Sequence, residues 1–255
     1  MHLFYFAASL FLHDVKNFFA RLWRFCKRLF LVLFILQFVY IIILKWINPP
    51  ITLTQLGSLL SGNGLTRDYV AADKISPHAG LAVIASEDQL FPDHNGFDWK
   101  SIQKAIEKNQ KKKNRIVGAS TISQQVAKNV FLWQSRNWIR KGMEMYFTFM
   151  IEWIWGKERI LEVYLNVVEM GRGIFGIEAA ARHYFKKPAA KLTRSEAAMI
   201  AASLPNPVRY TIKPLSRFVS VRYPWVLLQM KNLSGDADII KVLPGKKDTG
   251  KSPSQ

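Results

Sequence analysis

The chain has 255 residues, and its 36 basic and 18 acidic side chains give a formal net charge of +18 at pH 7. Hydrophobic residues make up 49% of the chain, enough for a folded core, and the length suits a membrane anchor plus one domain of about 200 residues. The positive charge predicts an anionic partner: nucleic acid, lipid head groups or a phosphorylated substrate. The single cysteine, Cys26, excludes an internal disulfide and a cysteine-rich metal site.

A long apolar run near the N-terminus predicts a transmembrane helix over residues 29–47. Residues 29–44 read LFLVLFILQFVYIIIL, in which Gln37 is the one clearly polar side chain. At about 1.5 Å per residue the span covers nearly the full hydrocarbon thickness of a bilayer, and Trp46 suits the interface. The alternatives are a buried core helix and a cleaved signal peptide. The run is longer than the apolar region of a signal peptide, and no small-residue cleavage pattern follows it.

The charges before this span predict its orientation. The segment before the span, residues 1–28, contains one acidic side chain, Asp14, and five basic ones: Lys16, Arg21, Arg24, Lys27 and Arg28. By the positive-inside rule residues 1–28 stay in the cytoplasm and everything after Pro49 lies outside. A basic domain tethered there does not meet nucleic acid, so we expect membrane lipids and lipid-linked phosphates as its partners.

Beyond the anchor we predict a linker over residues 48–74, a helical domain over 75–233 and a disordered tail over 234–255. Ser76-Pro77 is typical of a helix start, and Pro92 ends that helix. Asp98 begins the next helix. The basic stretch KNQKKKNR after it is expected to be a loop, either solvated or in contact with phosphate or membrane.

Five more helices follow in the pattern, and all of them lack the alternation of a strand. Their predicted positions are an N-terminus at the Thr121/Gln124 capping box, residues 138–155, residues 157–170 ended by Gly171, the GIEAAARHYF stretch, and a helix opened by the Thr193/Glu196 capping box. A last helix is predicted over 215–233, bent at Pro224. The predicted fold class is therefore mainly all-α.

Glu87 is the first candidate for chemistry. It follows an almost wholly apolar helical stretch, LAVIA, and therefore lies at the edge of a core. Partial desolvation raises the pKa of a carboxyl group toward the range useful for a general base. The alternative is a solvated acid at a helix end, where the helix dipole disfavours it.

A charged stripe is the second candidate. Arg136, Arg140 and Glu144 are spaced by four and share a helix face, and two guanidiniums can grip a diphosphate. Lys128 on the preceding helix adds a third cation. The alternative is an ordinary ion pair between Arg140 and Glu144. His94 has no partner at metal-ligand spacing, and neither a serine nucleophile with its base nor a nucleotide-binding glycine loop is evident.

Four motifs resemble those of the peptidoglycan glycosyltransferases, the polymerases that link lipid II into glycan strands. E-D-x-x-F-x-x-H-x-G begins at Glu87, and G-[GA]-S-T-I-[ST]-Q-Q-x-x-K-N covers residues 118–129. R-K-x-x-E begins at Arg140, and K-x-x-I-L-E-x-Y-L-N begins at Lys157. They occur in order and at the family's spacing. The resemblance implies a lysozyme-like helical domain with a smaller membrane-proximal lobe.

The resemblance also implies roles for individual residues. Glu87 would be the general base that takes the proton from the 4-hydroxyl of the acceptor lipid II, and the transfer would proceed with inversion. Lys128, Arg136 and Arg140 would stabilise the departing undecaprenyl diphosphate. Glu144 would be a second catalytic acid that organises the leaving group or a divalent ion, Mg²⁺ or Mn²⁺; no cofactor is certain. The other expected substrate contacts are Asp88, Phe91, His94, Ser120, Thr121, Gln124 and Gln125.

The same resemblance implies a single-pass protein of the bacterial inner membrane with a periplasmic catalytic domain. Its partners would be lipid II, the growing lipid-linked strand and other cell-wall synthesis proteins. The residues after Tyr210 contain no S-x-x-K motif, so we expect a monofunctional enzyme without transpeptidase activity. Two alternatives stay open: a lysozyme-like enzyme that cleaves glycan, which needs no cation cluster, and a non-catalytic membrane-anchored cell-wall adaptor, in which Glu87 has no role.

Overall fold

The computed structural model describes residues 2–111, 118–135 and 137–245. These residues form eleven α-helices and one small three-stranded sheet, which confirms the predicted, mainly helical fold class. The chain divides after Trp46 into an N-terminal helical unit and a larger unit.

The N-terminal unit consists of one long helix, α1, over His2–Ile43. Its stretch Lys16–Ile43 has 28 residues and a mean hydropathy of 2.2, so it is long and apolar enough to cross a membrane. The predicted span of 29–47 is wrong at its C-terminal end, because residues 44–46 form a turn. Pro49 and Pro50 follow closely, and proline disfavours helical geometry in the residue before it.

The larger unit contains the remaining helices and two short 3₁₀ turns. In chain order the helices are α2 Leu53–Leu60, α3 Pro77–Glu87, α4 Trp99–Lys111, α5 Ile122–Phe131, α6 Trp138–Ile154, α7 Lys157–Val167, α8 Ile177–Phe185, α9 Arg194–Ser203, α10 Arg217–Leu233 and α11 Ala237–Val242. The 3₁₀ turns are Ala72–Lys74 and Ala189–Lys191.

α3 lies at the centre of this unit. Every residue from Ala79 to Ala85 is buried, and the helix packs against α9 and α10. α9 presents small side chains, Ala197, Ala198 and Ala201, all buried, which allow a close approach of helices. α5 packs against α6 and α7 beside this core. The apolar α3 therefore runs through the core and carries its last residue, Glu87, to the core's edge.

The helix starts that local sequence signals predicted are confirmed. Ser76 is the N-cap of α3, and Pro77 is its first residue. Asp98 accepts a hydrogen bond from the backbone N–H of Ser101 at 2.9 Å. The Thr121/Gln124 and Thr193/Glu196 capping boxes are both formed reciprocally. Pro224 lies inside α10, as expected.

The sheet was not predicted. Its strands are β1 Thr66–Arg67, β2 Glu169–Gly171 and β3 Ile174–Phe175; β1 pairs parallel to β3, and β2 pairs antiparallel to β3. Strands of two or three residues are too short to show alternation. The predicted helix end at Gly171 is also wrong, since α7 ends at Val167. Gly171 belongs to β2, where an added Cβ would lie 2.2 Å from the hydroxyl of Tyr184.

Three segments predicted to lie outside regular helices are partly helical, and the first is the linker over 48–74, which contains α2. α11 lies inside the tail expected to be disordered, where Asp236 caps it and Ile239 and Val242 are buried, so that prediction is wrong for residues 237–242. Residues 246–255 lie outside the described residues. α4 extends to Lys111, four residues into the stretch expected to be a loop, whose remainder at 112–115 also lies outside the described residues.

Candidate active site

Glu87 opens into a cavity of about 700 Å³, here named the Glu87 cavity. The wall of this cavity is formed by the end of α3, one face of α4, residues 118–121, Gln125 on α5 and Arg222 on α10. Residues from four helices thus surround one carboxylate at the end of an apolar helix. The Glu87 cavity is the candidate catalytic cleft.

Two neighbours hold the carboxylate of Glu87. The side-chain N–H of Gln125 donates to Oε2 at 3.1 Å, and the hydroxyl of Ser86 donates to Oε1 at 3.2 Å. Burial is the largest influence and raises the pKa of Glu87 above its usual range. The bond from Gln125 and the positive charge of Arg222 oppose that rise, and the negative charge of Asp88 adds to it. An oriented carboxylate with a raised pKa is suited to general-base chemistry.

A buried tyrosine fixes the amide of Gln125. The hydroxyl of Tyr164 donates to Oε1 of Gln125 at 3.2 Å. Burial raises the pKa of Tyr164 well above 10, so it remains a neutral donor. Because the amide oxygen is held in this way, the amide N–H group points to Glu87.

Asp88 and His94 join the end of α3 to the start of α5. Asp88 is buried and accepts hydrogen bonds from the backbone N–H of Ile122 at 3.0 Å and from Nε2 of His94 at 2.9 Å. Nδ1 of His94 accepts from the backbone N–H of Gly96 at 3.2 Å. Both nitrogens of the His94 ring are therefore engaged within the protein, and the pair holds α5 against the segment after Glu87.

Gly96 completes this connection with backbone geometry that favours glycine. Its φ is +86°, and an added Cβ would lie 2.6 Å from the methyl carbon of Thr148. Its carbonyl oxygen accepts a hydrogen bond from the hydroxyl of Thr121 at 2.7 Å. Thr121 also caps α5, so one threonine connects the first two motifs.

The expected substrate contacts fall into two groups. Asp88, Ser120, Thr121 and Gln125 line the Glu87 cavity. Phe91 is fully buried beneath the ammonium group of Lys157, 4.6 Å from its ring centroid, and Gln124 is buried in the capping box of α5. These two side chains, like His94, lie behind the cavity wall rather than on it.

Lys128 lies in a second cavity of about 490 Å³, here named the Lys128 cavity. Burial lowers the pKa of Lys128, and the negative charge of Glu144 partly opposes that effect. Asn129, Gln134 and Glu169 also line this cavity. Gln125 belongs to the walls of both cavities, so the two sites are neighbours.

Glu144, expected to be a second catalytic acid, is buried and lines neither of these two cavities. Arg140 donates to its Oε2 at 2.7 Å, and the ammonium group of Lys141 donates to its Oε1. The intrahelical ion pair considered as an alternative is therefore present. Arg140 and Glu144 both act electrostatically on Lys128, so this pair lies beside the Lys128 cavity. Arg136 lies outside the described residues.

The surroundings of Glu144 do not fit a divalent metal. Both carboxylate oxygens are bound by cationic side chains, whereas Mg²⁺ and Mn²⁺ prefer a set of oxygen ligands. Among the residues that the structure describes, no group of three or more His, Cys, Asp or Glu side chains is placed to hold a metal ion.

Three cavity residues were missed by the sequence analysis. Arg222 donates to the carbonyl oxygen of Ser86 at 3.2 Å across 136 positions of sequence, and Lys104 and Lys108 line the Glu87 cavity from α4. No local pattern marks Arg222. The sequence shows that Lys104 and Lys108 are four residues apart and share a helix face, but it does not show that this face lines the Glu87 cavity.

Comparison with known proteins places this geometry in a family. A family model described as Transglycosylase matches residues 54–231, which include α2 and β1. A biosynthetic peptidoglycan transglycosylase from Yersinia pestis (strain Pestoides F) is 49% identical over 229 residues, which cover 87% of this chain and 95% of that protein. One from Shigella boydii serotype 4 (strain Sb227) is 59% identical over 169 residues, which cover 66% and 70%. The chain therefore belongs to the transglycosylase family.

Proposed function

We propose that this protein is a peptidoglycan glycosyltransferase that polymerises lipid II into glycan strands, with Glu87 as its general base. The family match and the names of the relatives support the activity. The observation that carries the assignment of the base is the partly buried Glu87 carboxylate, whose pKa is raised and which is held by Gln125 and Ser86 in the Glu87 cavity.

In the proposed reaction the acceptor lipid II occupies the Glu87 cavity. Glu87 removes the proton from its 4-hydroxyl, and the oxygen attacks C1 of the sugar that ends the growing chain. The bond from C1 to the lipid diphosphate breaks as the new glycosidic bond forms, with inversion at C1. Gln125 and Ser86 hold the carboxylate in the orientation that this proton transfer requires.

The departing diphosphate is proposed to lie beside Lys128. Its negative charge grows as the bond to C1 breaks, and positioned cations stabilise that charge. Burial lowers the pKa of Lys128, and the negative charge of a diphosphate beside it would oppose that effect and favour the charged form. Arg140 would add a second cation. Glu144 would hold Arg140 and Lys141 in place through its two ion pairs, so it would act on the leaving group indirectly.

We also propose that α1 anchors the protein in the bacterial inner membrane with residues 1–28 cytoplasmic and the larger unit periplasmic. The apolar stretch Lys16–Ile43 and the basic residues at its N-terminal end support this orientation. Both lipid-linked substrates would then be held in the same leaflet that the domain faces. Membrane lipids and other cell-wall synthesis proteins are the proposed further partners.

The test is polymerisation of lipid II by the purified full-length protein and by its Glu87→Gln variant. We expect the variant to lose about 10²-fold to 10⁴-fold in rate, the usual contribution of a general base. Glu158→Gln removes an exposed carboxylate on α7 and should retain the full rate. Thermal unfolding followed by circular dichroism checks that both variants are folded.

A parallel incubation with finished glycan separates the proposed activity from cleavage. Shortening of finished glycan without any polymer from lipid II would assign a hydrolase. Full polymerisation by Glu87→Gln would remove Glu87 from the role of base, and equal behaviour of all three proteins without any polymer would favour a non-catalytic adaptor.

A further inference from the structure

We propose that Lys104 and Lys108 bind an anionic group of the acceptor lipid in the Glu87 cavity. This inference rests on the proposed function, because it names the part of the substrate that the α4 side of that cavity recognises. It adds two binding residues from outside the four sequence motifs.

The first observation is the direction in which α4 faces. The cavity wall contains Ser101, Lys104, Ala105 and Lys108, which recur at helical spacing on one face. Ala105 is buried, whereas the apolar Trp99 and Ile106 are exposed on a different face. In an ordinary amphipathic helix the apolar face turns inward and the cations turn to solvent. In α4 the two lysines are exposed, and the solvent-filled space that they face is the cavity that Glu87 also lines.

The second observation is that these two cations are not neutralised by the protein. Within the described ranges, neither lysine forms an ion pair. The three carboxylates in the cavity wall have other hydrogen-bond partners: Glu87 bonds to Gln125 and Ser86, Asp88 to His94, and Asp98 to the backbone of its own helix. The cation across the cavity, Arg222, donates to Ser86. The charge of Lys104 and Lys108 is therefore available to a ligand.

The acceptor lipid carries two kinds of anionic group. Its 4-hydroxyl must reach Glu87, and the same molecule carries a diphosphate and the carboxylates of its stem peptide. Side chains one helical turn apart lie about 5–6 Å from each other at Cβ, so two ammonium groups can bind neighbouring anionic oxygens of one ligand. The shared chemistry is an oxyanion, and the diphosphate and the peptide are its two possible sources.

The main experiment compares the full-length protein with its Lys104→Gln/Lys108→Gln variant. Lipid II is varied as acceptor while a lipid-linked glycan oligomer is kept saturating as donor. We expect KM for lipid II to rise about fivefold to tenfold with kcat nearly unchanged, because two partly exposed ion pairs are lost that help to bind substrate and transition state equally. The conservative Lys104→Arg/Lys108→Arg variant should retain most of the affinity.

The matched control is Lys100→Gln/Lys231→Gln, which removes the same charge from two exposed positions outside both cavities. Its KM should stay within about twofold of the unchanged protein. Raising the salt concentration should increase KM of the unchanged protein and have less effect on Lys104→Gln/Lys108→Gln, because screening acts only on charges that are present. If the lysines had a purely structural role, the KM of the unchanged protein and that of Lys104→Gln/Lys108→Gln would respond to salt equally.

A lipid II analogue without its stem peptide identifies the source of the oxyanion. If the lysines bind the diphosphate, the KM ratio of variant to unchanged protein persists with this analogue; if they bind peptide carboxylates, the ratio falls to about one. An unchanged KM for Lys104→Gln/Lys108→Gln with complete lipid II, in a preparation whose unchanged protein polymerises normally, would overturn this inference alone. Failure of the unchanged protein to polymerise would instead overturn the proposed function.

Discussion

At the scale of single residues, opposing influences set the proton affinity of Glu87. Burial and the charge of Asp88 raise its pKa, whereas the hydrogen bonds from Gln125 and Ser86 and the charge of Arg222 lower it. A general base must be deprotonated to act, so its rate rises as the pH increases through its pKa. Neighbours that lower this pKa extend activity to lower pH.

Arg222→Gln tests this balance. Removing the positive charge should raise the pKa of Glu87 further, so the acidic limb of the profile of kcat/KM against pH should move to higher pH. The loss of rate should therefore be largest at low pH and shrink as the pH rises. Arg222→Lys retains a positive charge and should shift the limb less. An acidic limb that stays in place in Arg222→Gln would show that this charge does not influence the base.

Single residues also show how much of the site around Glu87 could be predicted from the sequence. The apolar stretch before Glu87 predicted a partly desolvated acid, because burial of a whole helix follows from its own composition. The side chains that surround Glu87 could not be predicted from the composition of its helix. Tyr164 reaches Gln125 from another helix, and Arg222 reaches Ser86 across 136 positions, contacts that no local pattern encodes.

At the scale of elements, the ends of helices were predicted where a local hydrogen bond determines them. The Thr121/Gln124 capping box needs only four residues of sequence, and it is formed. The end of α7 depends instead on the pairing of β2 with β3, so the expected cap at Gly171 was wrong. Asp88 then joins α3 to α5 by accepting from the backbone of Ile122.

Gly96→Ala tests the connection between these two helices. The substitution forces a Cβ into a positive φ of +86° and toward the methyl carbon of Thr148, which should cost about 1–3 kcal/mol of unfolding free energy. That cost corresponds to a fall in Tm of roughly 2–4 °C per kcal/mol for a domain of this size. Polymerisation should fall as well, because a shift of the backbone at residue 96 would weaken the hydrogen bond that its carbonyl oxygen accepts from Thr121.

Gly142→Ala is the matched control for this change. Gly142 lies within α6, and an added Cβ would meet nothing within 4 Å. Alanine has the higher helix propensity, so Tm should stay level or rise by a few degrees. Equal unfolding temperatures for the two variants would contradict the strain assigned to Gly96.

At the scale of the whole molecule, the N-terminal helix and the net charge of +18 both favour a membrane location. The division of the chain after Trp46 predicts that the larger unit can fold without α1. The anchor would then contribute mainly by raising the effective concentration of the enzyme at lipid-linked substrates.

Deletion of residues 1–46 should therefore separate folding from membrane delivery. We expect circular dichroism to show a folded helical domain. Its rate of lipid II polymerisation in vesicles should be at least about tenfold lower than that of the full chain. In mixed detergent micelles the two rates should differ little. Equal rates of both proteins in vesicles would show that the larger unit reaches its substrate without the anchor.

Gln125 lines both the Glu87 cavity and the Lys128 cavity with a single side-chain amide. Its N–H group donates to Glu87, while its position also exposes it to whatever fills the space around Lys128. An occupant there that turned this amide away from Glu87 would remove a hydrogen bond that lowers the pKa of the carboxyl group, and that pKa would rise. Loading of the outgoing group would then favour the protonated form of Glu87, and deprotonation of Glu87 would reciprocally weaken that loading.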